Sequence, residues 1–122
     1  FIGETLRIAD EVGMEEVTLG IMIGKAAKLA EGHLDTHSKK VVMNKSFLKQ
    51  VAVEAECSND SRSVIDGLTL ARELWNLLSP DDAFRFFSKL IEKCYLHCRP
   101  LLPEGKLTIR LMDEEGRIFN QD

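Results

Sequence analysis

The chain has 122 residues, of which 44% are hydrophobic and 30% are charged, and its formal net charge is −4. This composition is typical of one globular domain with a buried core, and it excludes a disordered chain and a coiled coil. The longest uncharged apolar run, residues 17–24, is too short to span a bilayer, and no basic and apolar leader opens the chain. We therefore expect a cytoplasmic protein without a membrane partner.

The first third of the chain predicts a helix, a strand and a second helix. Apolar positions recur at helical spacing over residues 2–12, and Gly13 follows where such a helix ends. Residues 17–23 form a β-branched and apolar run, which predicts a short buried strand. Good helix formers occupy residues 25–31, and Gly32 ends them. This order is typical of a doubly wound α/β layer, in which ligands bind at the turn after the strand.

The middle of the chain predicts three further helices. Asn44 has the side chain of a helix cap, and an apolar stripe over residues 64–78 predicts a helix that contains Gly67. Ser79 followed by Pro80 is a strong start signal for a last helix, which we expect to run through Tyr95 or Leu96.

The end of the chain predicts a β-hairpin. Apolar and polar residues alternate over residues 107–112, and a turn at Gly116 precedes a short return strand. The predicted fold is thus a helix-rich, Rossmann-like layered α/β domain with a short buried strand after helix one and a C-terminal β-hairpin. We expect residues 1–122 to form this single domain, and the start at Phe1 suggests a piece of a longer chain.

Positive charge is concentrated in one segment. Residues 25–49 contain six lysines against Glu31 and Asp35, a net charge of +4, whereas the rest of the chain is strongly acidic. A basic segment of this size favours an anionic small ligand over nucleic acid, although solvated helix lysines remain an alternative. Lys25 opens a helix just after the predicted strand, where free backbone N–H groups already favour an anion.

The segment Gly-His-Leu-Asp-Thr-His-Ser-Lys-Lys, residues 32–40, contains two histidines, an aspartate, a threonine, a serine and two lysines. His33 and His37 have the spacing of a helical metal pair, but Gly32 argues against a continuous helix. Three alternatives remain open: a nucleophile at Ser38 or Thr36 with a histidine base, a polar loop, and a binding loop for an anionic ligand. No protein-bound metal is expected here.

Two other patterns carry less information. Gly20 and Gly24 lack the third glycine of a dinucleotide fingerprint and the remaining signature of a phosphate loop. Cys94 and Cys98 lie four residues apart on a predicted helix, and without a second ligand pair they are more typical of a helix face than of a metal site.

Three ordered blocks of residues resemble one known family. Residues 1–3 (Phe-Ile-Gly), 23–25 (Ile-Gly-Lys) and 36–38 (Thr-His-Ser) follow the order and approximate spacing of the cobalt-precorrin-5B C1-methyltransferases, the CbiD family of anaerobic cobalamin biosynthesis. The chain departs from the family pattern at Ile21 and Met22, which replace a Gly-His pair, and at Asp35, which replaces an asparagine.

The resemblance implies transfer of a methyl group from S-adenosylmethionine to C1 of an anionic cobalt-tetrapyrrole. It also implies roles for the residues of the three blocks and of the basic segment. His37 would be catalytic. The methyl donor would bind at Gly3, Gly24 and Lys25. The tetrapyrrole would bind at Lys28, Asp35, Thr36, Ser38 and Lys39.

Members of this family are about three times as long as this chain, and the match covers their C-terminal part. We therefore expect the missing N-terminal domain to be a partner in the active cleft, leave a homo-oligomer open, and expect the isolated chain to be inactive. The alternative is a noncatalytic α/β domain that binds an anionic ligand or a partner chain.

Overall fold

The computed structural model describes residues 2–34 and 43–119. Six α-helices and two β-strands lie in these ranges. In chain order they are α1 (Ile2–Glu11), β1 (Glu16–Met22), α2 (Ile23–Ala30), α3 (Lys45–Glu54), α4 (Asn59–Asp66), α5 (Leu74–Leu77), α6 (Pro80–Cys98) and β2 (Lys106–Met112). Short 3₁₀ turns at Ala71–Glu73 and Arg99–Leu101 precede α5 and follow α6.

The two strands pair in parallel, with Glu16 opposite Lys106 and Met22 opposite Met112. Side chains alternate between the two faces of a sheet, so every second residue of each strand points the same way. Six apolar side chains form the inner face: Val17, Leu19, Ile21, Leu107, Ile109 and Leu111. The outer face carries Glu16 and Lys106 at its start and two methionines at its end.

Helices α2 and α6 pack together and cover the inner face of the sheet. Ala26, Ala27 and Ala30 are buried on α2, and such small side chains allow two helix backbones to approach closely. The approach is close enough for the thiol of Cys94 to donate to the carbonyl of Ala26, with 3.2 Å between sulfur and oxygen. Over the described ranges, no helix has the length and apolar character needed to cross a membrane.

A buried carboxylate joins the start of α6 to the start of α4. Asp82 is 4% exposed and accepts hydrogen bonds from the backbone N–H of Ser58 at 3.0 Å and from its hydroxyl at 2.6 Å. The hydroxyl of Ser61 donates to the same oxygen at 2.5 Å. The Ser58 and Ser61 hydrogen bonds hold the pKa of Asp82 below its usual value, although burial opposes them.

Most of the predicted local structure is confirmed. The predicted helices over residues 2–12 and 25–31 correspond to α1 and α2, and β1 lies within one residue of its expected position. Asn44 caps α3 by accepting from the N–H of Phe47, and Ser79 caps α6.

The predicted C-terminal hairpin is wrong. After the turn at Gly116, whose φ is +84°, the returning chain makes one antiparallel bridge, between Met112 and Ile118. The bridge consists of two hydrogen bonds, from the N–H of Phe119 to the carbonyl of Leu111 and from the N–H of Asp113 to the carbonyl of Arg117. Over the described residues, β2 pairs with the returning chain at this one bridge and with β1 over seven residues. The strand therefore pairs with β1 across the domain.

The predicted helix over residues 64–78 is also wrong as one element. Gly67 is the C-cap of α4, and the carboxylate of Glu73 then accepts from the N–H groups of Thr69 and Leu70 at 2.8 and 2.6 Å. That carboxylate satisfies backbone donors that a continuous helix would have used, so a new turn begins there. The predicted apolar stripe is confirmed, because Leu74 and most of the other apolar residues of the stripe are buried.

The expected doubly wound layering is not confirmed. Of the seven residues of β1, only Ile21 is buried, whereas β2 has three buried residues: Leu107, Ile109 and Leu111. With two strands in the sheet, β1 has a neighbouring strand on one side only. The outer-face residues Glu16, Thr18 and Met22 are exposed. In the part of the chain that the structure describes, α2 and α6 lie against the inner face of the sheet.

Replacing Asp82 by asparagine should lower the free energy of unfolding near neutral pH by about 2 kcal/mol, since charged acceptors form the stronger hydrogen bonds. The matched variant Asp81→Asn changes an exposed carboxylate in the same helical turn and should lower it by about 0.5 kcal/mol or less. Urea unfolding followed by circular dichroism measures both values.

The effect of Asp82→Asn should depend on pH in one direction. The pKa of Asp82 is lower in the folded state, so its ionised form stabilises the fold above about pH 4, and this contribution is lost as the pH falls further. The difference between wild type and Asp82→Asn should therefore shrink below pH 4. A difference that is constant from pH 7 to pH 3 would contradict this account.

Candidate functional site

A cleft lies where both strands end and α2 begins. Parallel strands present their carboxyl ends at the same edge of a sheet, and in open α/β folds ligands bind at that edge. The cleft has a volume of about 230 Å³. Its lining residues are Met22, Ile23, Gly24, Leu70, Ala71, Arg72, Trp75, Met112, Asp113 and Glu114.

A second hollow of about 210 Å³ adjoins this cleft. The two share the lining residues Arg72, Trp75, Asp113 and Glu114, and we call them together the strand-end cleft. The Trp75 ring is held by Phe87, with ring centroids 4.5 Å apart. An indole fixed in this way gives the cleft a rigid apolar wall.

The floor of the cleft is the first turn of α2. No loop separates β1 from α2, and the cap residue Met22 offers no side-chain oxygen to the free N–H groups of that turn. Gly24 is exposed, and a Cβ placed on it would meet no atom within 4 Å. Exposed N–H groups at the positive end of a helix favour a negatively charged group.

Lys25 adds positive charge beside these N–H groups. Its side chain is half-buried and makes no hydrogen bond or ion pair with another residue of the described ranges. A lysine in the first turn of a helix is unfavourable for the helix dipole. Its position is accounted for if a bound anion compensates the charge.

The opposite rim of the cleft carries ionised carboxylates. Arg72 pairs with Glu114 across the rim at 2.6 Å, and both side chains are exposed. Burial alone would raise the pKa of Asp113, but the N–H groups of Arg117 and Glu115 donate to it and hold that pKa below its usual value. Asp113 is therefore a hydrogen-bond acceptor at neutral pH and is poorly suited to act as a proton donor.

The predicted site residues that the structure describes lie at two ends of α2. Gly24 and Lys25 are in its first turn. Gly3 is buried in α1, and its N–H donates at 3.2 Å to the carbonyl of Leu34, which follows the other end of α2. An eight-residue helix is about 12 Å long, so Gly3 is not next to Gly24. Five predicted residues lie outside the described ranges: Asp35, Thr36, His37, Ser38 and Lys39.

The predicted basic segment is divided in the structure. Lys45 donates to the backbone carbonyl of Asp66 and Lys49 pairs with its carboxylate at 2.8 Å, so both stabilise the end of α4. Lys28 lies in the last turn of α2 and has an interaction partner of its own. Lys25 is thus the lysine of this segment in the first turn of α2, where it follows the lining residue Gly24 but does not itself line the strand-end cleft.

Sequence reasoning missed the residues on the rim of the cleft. Trp75 was assigned to a continuous helix, and Asp113 and Glu114 were assigned to a hairpin turn. For Asp113 and Glu114, the position directly after β2 is the signal that could have found them, because a parallel pairing of β2 with β1 places them near Gly24. Without that pairing, nothing local in the sequence marks them.

The three cysteines do not form a reactive centre. Cys57, Cys94 and Cys98 are free and buried. Burial raises the pKa of all three, and that of Cys94 reaches about 12. Within the described ranges, no three histidine, cysteine or acidic side chains are grouped so that they could hold a metal ion.

Thiol labelling measures this burial directly. In the folded chain at pH 8, we expect none of the three cysteines to react with a disulfide reagent within minutes, because each thiol is protonated and inaccessible. All three should react at once in denaturant, which serves as the control. Fast labelling of Cys94 in the folded chain would contradict the packing of α6 against α2.

Comparison with known proteins gives one consistent family. The profile described as "CbiD, C-terminal domain" matches residues 35–122. A cobalt-precorrin-5B C(1)-methyltransferase of Priestia megaterium is 34% identical over 105 residues, which cover 86% of this chain and 29% of that protein. Proteins of the same name from Prosthecochloris aestuarii and Thermus thermophilus are each 31% identical over 112 and 124 residues. These alignments cover 91% and 96% of this chain and 30% and 32% of the relatives.

The chain therefore spans about 30% of the length of the curated relatives it matches. No solved structure matches it.

Proposed function

Because this chain belongs to the family of CbiD C-terminal domains, we propose that the full-length protein containing it transfers a methyl group to C1 of cobalt-precorrin-5B. The observation that carries the proposal is the profile match over residues 35–122, together with relatives that share one name. Of the three short blocks that suggested the family, residues 36–38 lie within this matched region, and residues 1–3 and 23–25 precede it.

We propose S-adenosylmethionine as the methyl donor. Its methyl carbon would leave a positively charged sulfur and form a new bond to C1, while the electron pair of the broken bond stays on sulfur. The leaving group is then a neutral thioether, which departs readily. Such a transfer depends mainly on holding the donor carbon and the acceptor carbon in line, so the protein acts chiefly by positioning both ligands.

The strand-end cleft suits a ligand that has both an apolar body and a carboxylate. Trp75 and Leu70 offer apolar contact, and the first-turn N–H groups around Gly24 can receive a negative group. Lys25 can add a charge-assisted hydrogen bond to the same group. A methyl donor with a carboxylate end fits this arrangement, and we assign Gly24 and Lys25 to it.

The remaining assignments concern the other end of α2. The N–H of Gly3 donates a hydrogen bond to the carbonyl of Leu34, the last described residue before residues 35–42. We propose that Gly3 contributes to binding of the methyl donor. His37 would act as a general acid or base toward a proton on the macrocycle. The carboxylates of the tetrapyrrole would meet Lys28, Asp35, Thr36, Ser38 and Lys39.

We also propose that the chain is inactive in isolation. The relatives are about three times its length, so the strand-end cleft would be one wall of a larger active site. A ligand as wide as a tetrapyrrole needs more surface than the two hollows of the cleft, of about 230 and 210 Å³, provide.

The test uses the full-length protein with S-adenosylmethionine and cobalt-precorrin-5B, and follows methyl transfer by mass spectrometry. Lys25→Ala should weaken binding of the methyl donor about 10-fold, the effect of losing one charge-assisted hydrogen bond. Lys49→Ala is the matched control, because Lys49 is also a helix lysine but is paired with Asp66. It should leave donor binding unchanged.

Two outcomes would contradict parts of the proposal. The proposed activity would be contradicted if the folded full-length protein bound neither ligand and transferred no methyl group. Equal effects of Lys25→Ala and Lys49→Ala would remove the assignment of Lys25. For His37→Ala, we expect lower turnover with unchanged ligand affinity, and the reverse pattern would reassign His37 to binding.

A further inference from the structure

The outer edge of β1 exposes backbone groups that have no partner in the described part of the chain. The N–H of Lys106 donates to the carbonyl of Glu15 at 2.8 Å, which fixes the direction of the ladder. Backbone groups in a strand point alternately to its two sides. The backbone groups of Val17, Leu19 and Ile21 therefore face β2, whereas the N–H and C=O groups of Glu16, Thr18 and Gly20 point away from it. The N–H of Met22 also points away, but its C=O begins the hydrogen bonding of α2, of which Met22 is the N-cap.

The outer edge of β2 is closed, in contrast to that of β1. The N–H of Ile109 donates to the hydroxyl of Tyr95 at 2.8 Å, and the carbonyl of Leu111 accepts from Phe119 at the same distance. The bridge between Met112 and Ile118 covers the end of the strand. The domain thus protects one edge of its sheet with its own residues and leaves the other edge available.

Nothing in β1 discourages pairing at this edge. Edge strands are commonly blocked by proline, a bulge or a central lysine, and β1 has none of these over seven residues in uninterrupted register. Gly20 at its centre leaves the edge flat. A parallel sheet of two strands is also unusual, because parallel sheets are normally larger and covered on both faces.

Exposed apolar side chains lie at the two ends of β1. Met22 at the end of the strand is 48% exposed, and Met14, two residues before its start, is 49% exposed. Val12, in the turn between α1 and β1, is 68% exposed. These residues lie too far apart to form one apolar patch, so it is the open backbone groups that favour pairing at this edge.

We propose that the outer edge of β1 pairs with a β-strand supplied by the other two-thirds of the full-length protein. The length of the relatives argues for this occupant, since the chain covers only 26% to 35% of them and most of a full-length member lies outside it. The proposal rests on the proposed function only in treating the chain as one domain of that longer protein. The added strand aligns the two parts of the protein through backbone hydrogen bonds.

Amide hydrogen exchange in the full-length protein tests this pairing residue by residue. The N–H groups of Leu19 and Ile21 bond to β2 and serve as an internal control. Those of Thr18, Gly20 and Met22 should also exchange about 100-fold more slowly than in an unstructured chain, because an added strand would accept from them. Interstrand nuclear Overhauser contacts from Gly20 should lead to a residue outside the 122-residue chain.

Several results would overturn the proposal. Fast exchange at Thr18, Gly20 and Met22 beside slow exchange at Leu19 and Ile21 would show an open edge in the whole protein. Protection that disappears on dilution would indicate a second copy, and contacts from Gly20 to a residue within this chain would indicate closure by the chain itself. Loss of protection at all five positions would show that β1 is not formed.

A pair of variants at Thr18 provides a second test. Thr18→Pro removes an N–H that points to the outer edge, and so it deletes no hydrogen bond to β2. In the full-length protein it should raise exchange at Gly20 about 10-fold relative to Thr18→Ala, which keeps the N–H. Equal exchange in the two variants would contradict the pairing. Neither readout depends on methyl transfer, so the docking proposal and the proposed function can fail separately.

Discussion

The parallel ladder between β1 and β2 joins the beginning of the chain to its end, and the positions of the other elements follow from it. Both strands place their apolar side chains on one face, and that face receives α2 and α6. Because α2 starts directly at the end of β1, its direction is set by the strand before it. Small residues on α2 then allow α6 to pack closely against it, and the same helix supplies Tyr95 to close the far edge of β2.

The ladder also determines which residues meet at the strand-end cleft. A parallel arrangement puts Gly24, which follows β1, at the same edge as Asp113, which follows β2. The cleft therefore combines a positive helix start with a rim of ionised carboxylates, and Trp75 lies between them. An antiparallel hairpin at the C-terminus would have left α2 without this opposite rim.

Local rules predicted much of the fold from sequence. The caps at Asn44 and Ser79 are correct because a side-chain oxygen satisfies nearby N–H groups whatever the tertiary structure. The pairing of β2 could not be predicted in this way. Its alternation of apolar and polar residues fits a hairpin as well as a parallel strand, and the choice depends on the partner available across the domain. The candidate site could be predicted only in part. Gly24 and Lys25 follow a strand that the local sequence marks, whereas Asp113 and Glu114 reach the site only because β2 pairs with β1.

The most direct test of this account is the partner of β2 in solution, measured by nuclear Overhauser contacts between backbone protons. The account predicts contacts between residues 16–22 and 106–112 in parallel register, with Leu19 opposite Ile109. Contacts from residues 107–111 to an extended antiparallel strand after Gly116, with none to residues 16–22, would contradict it.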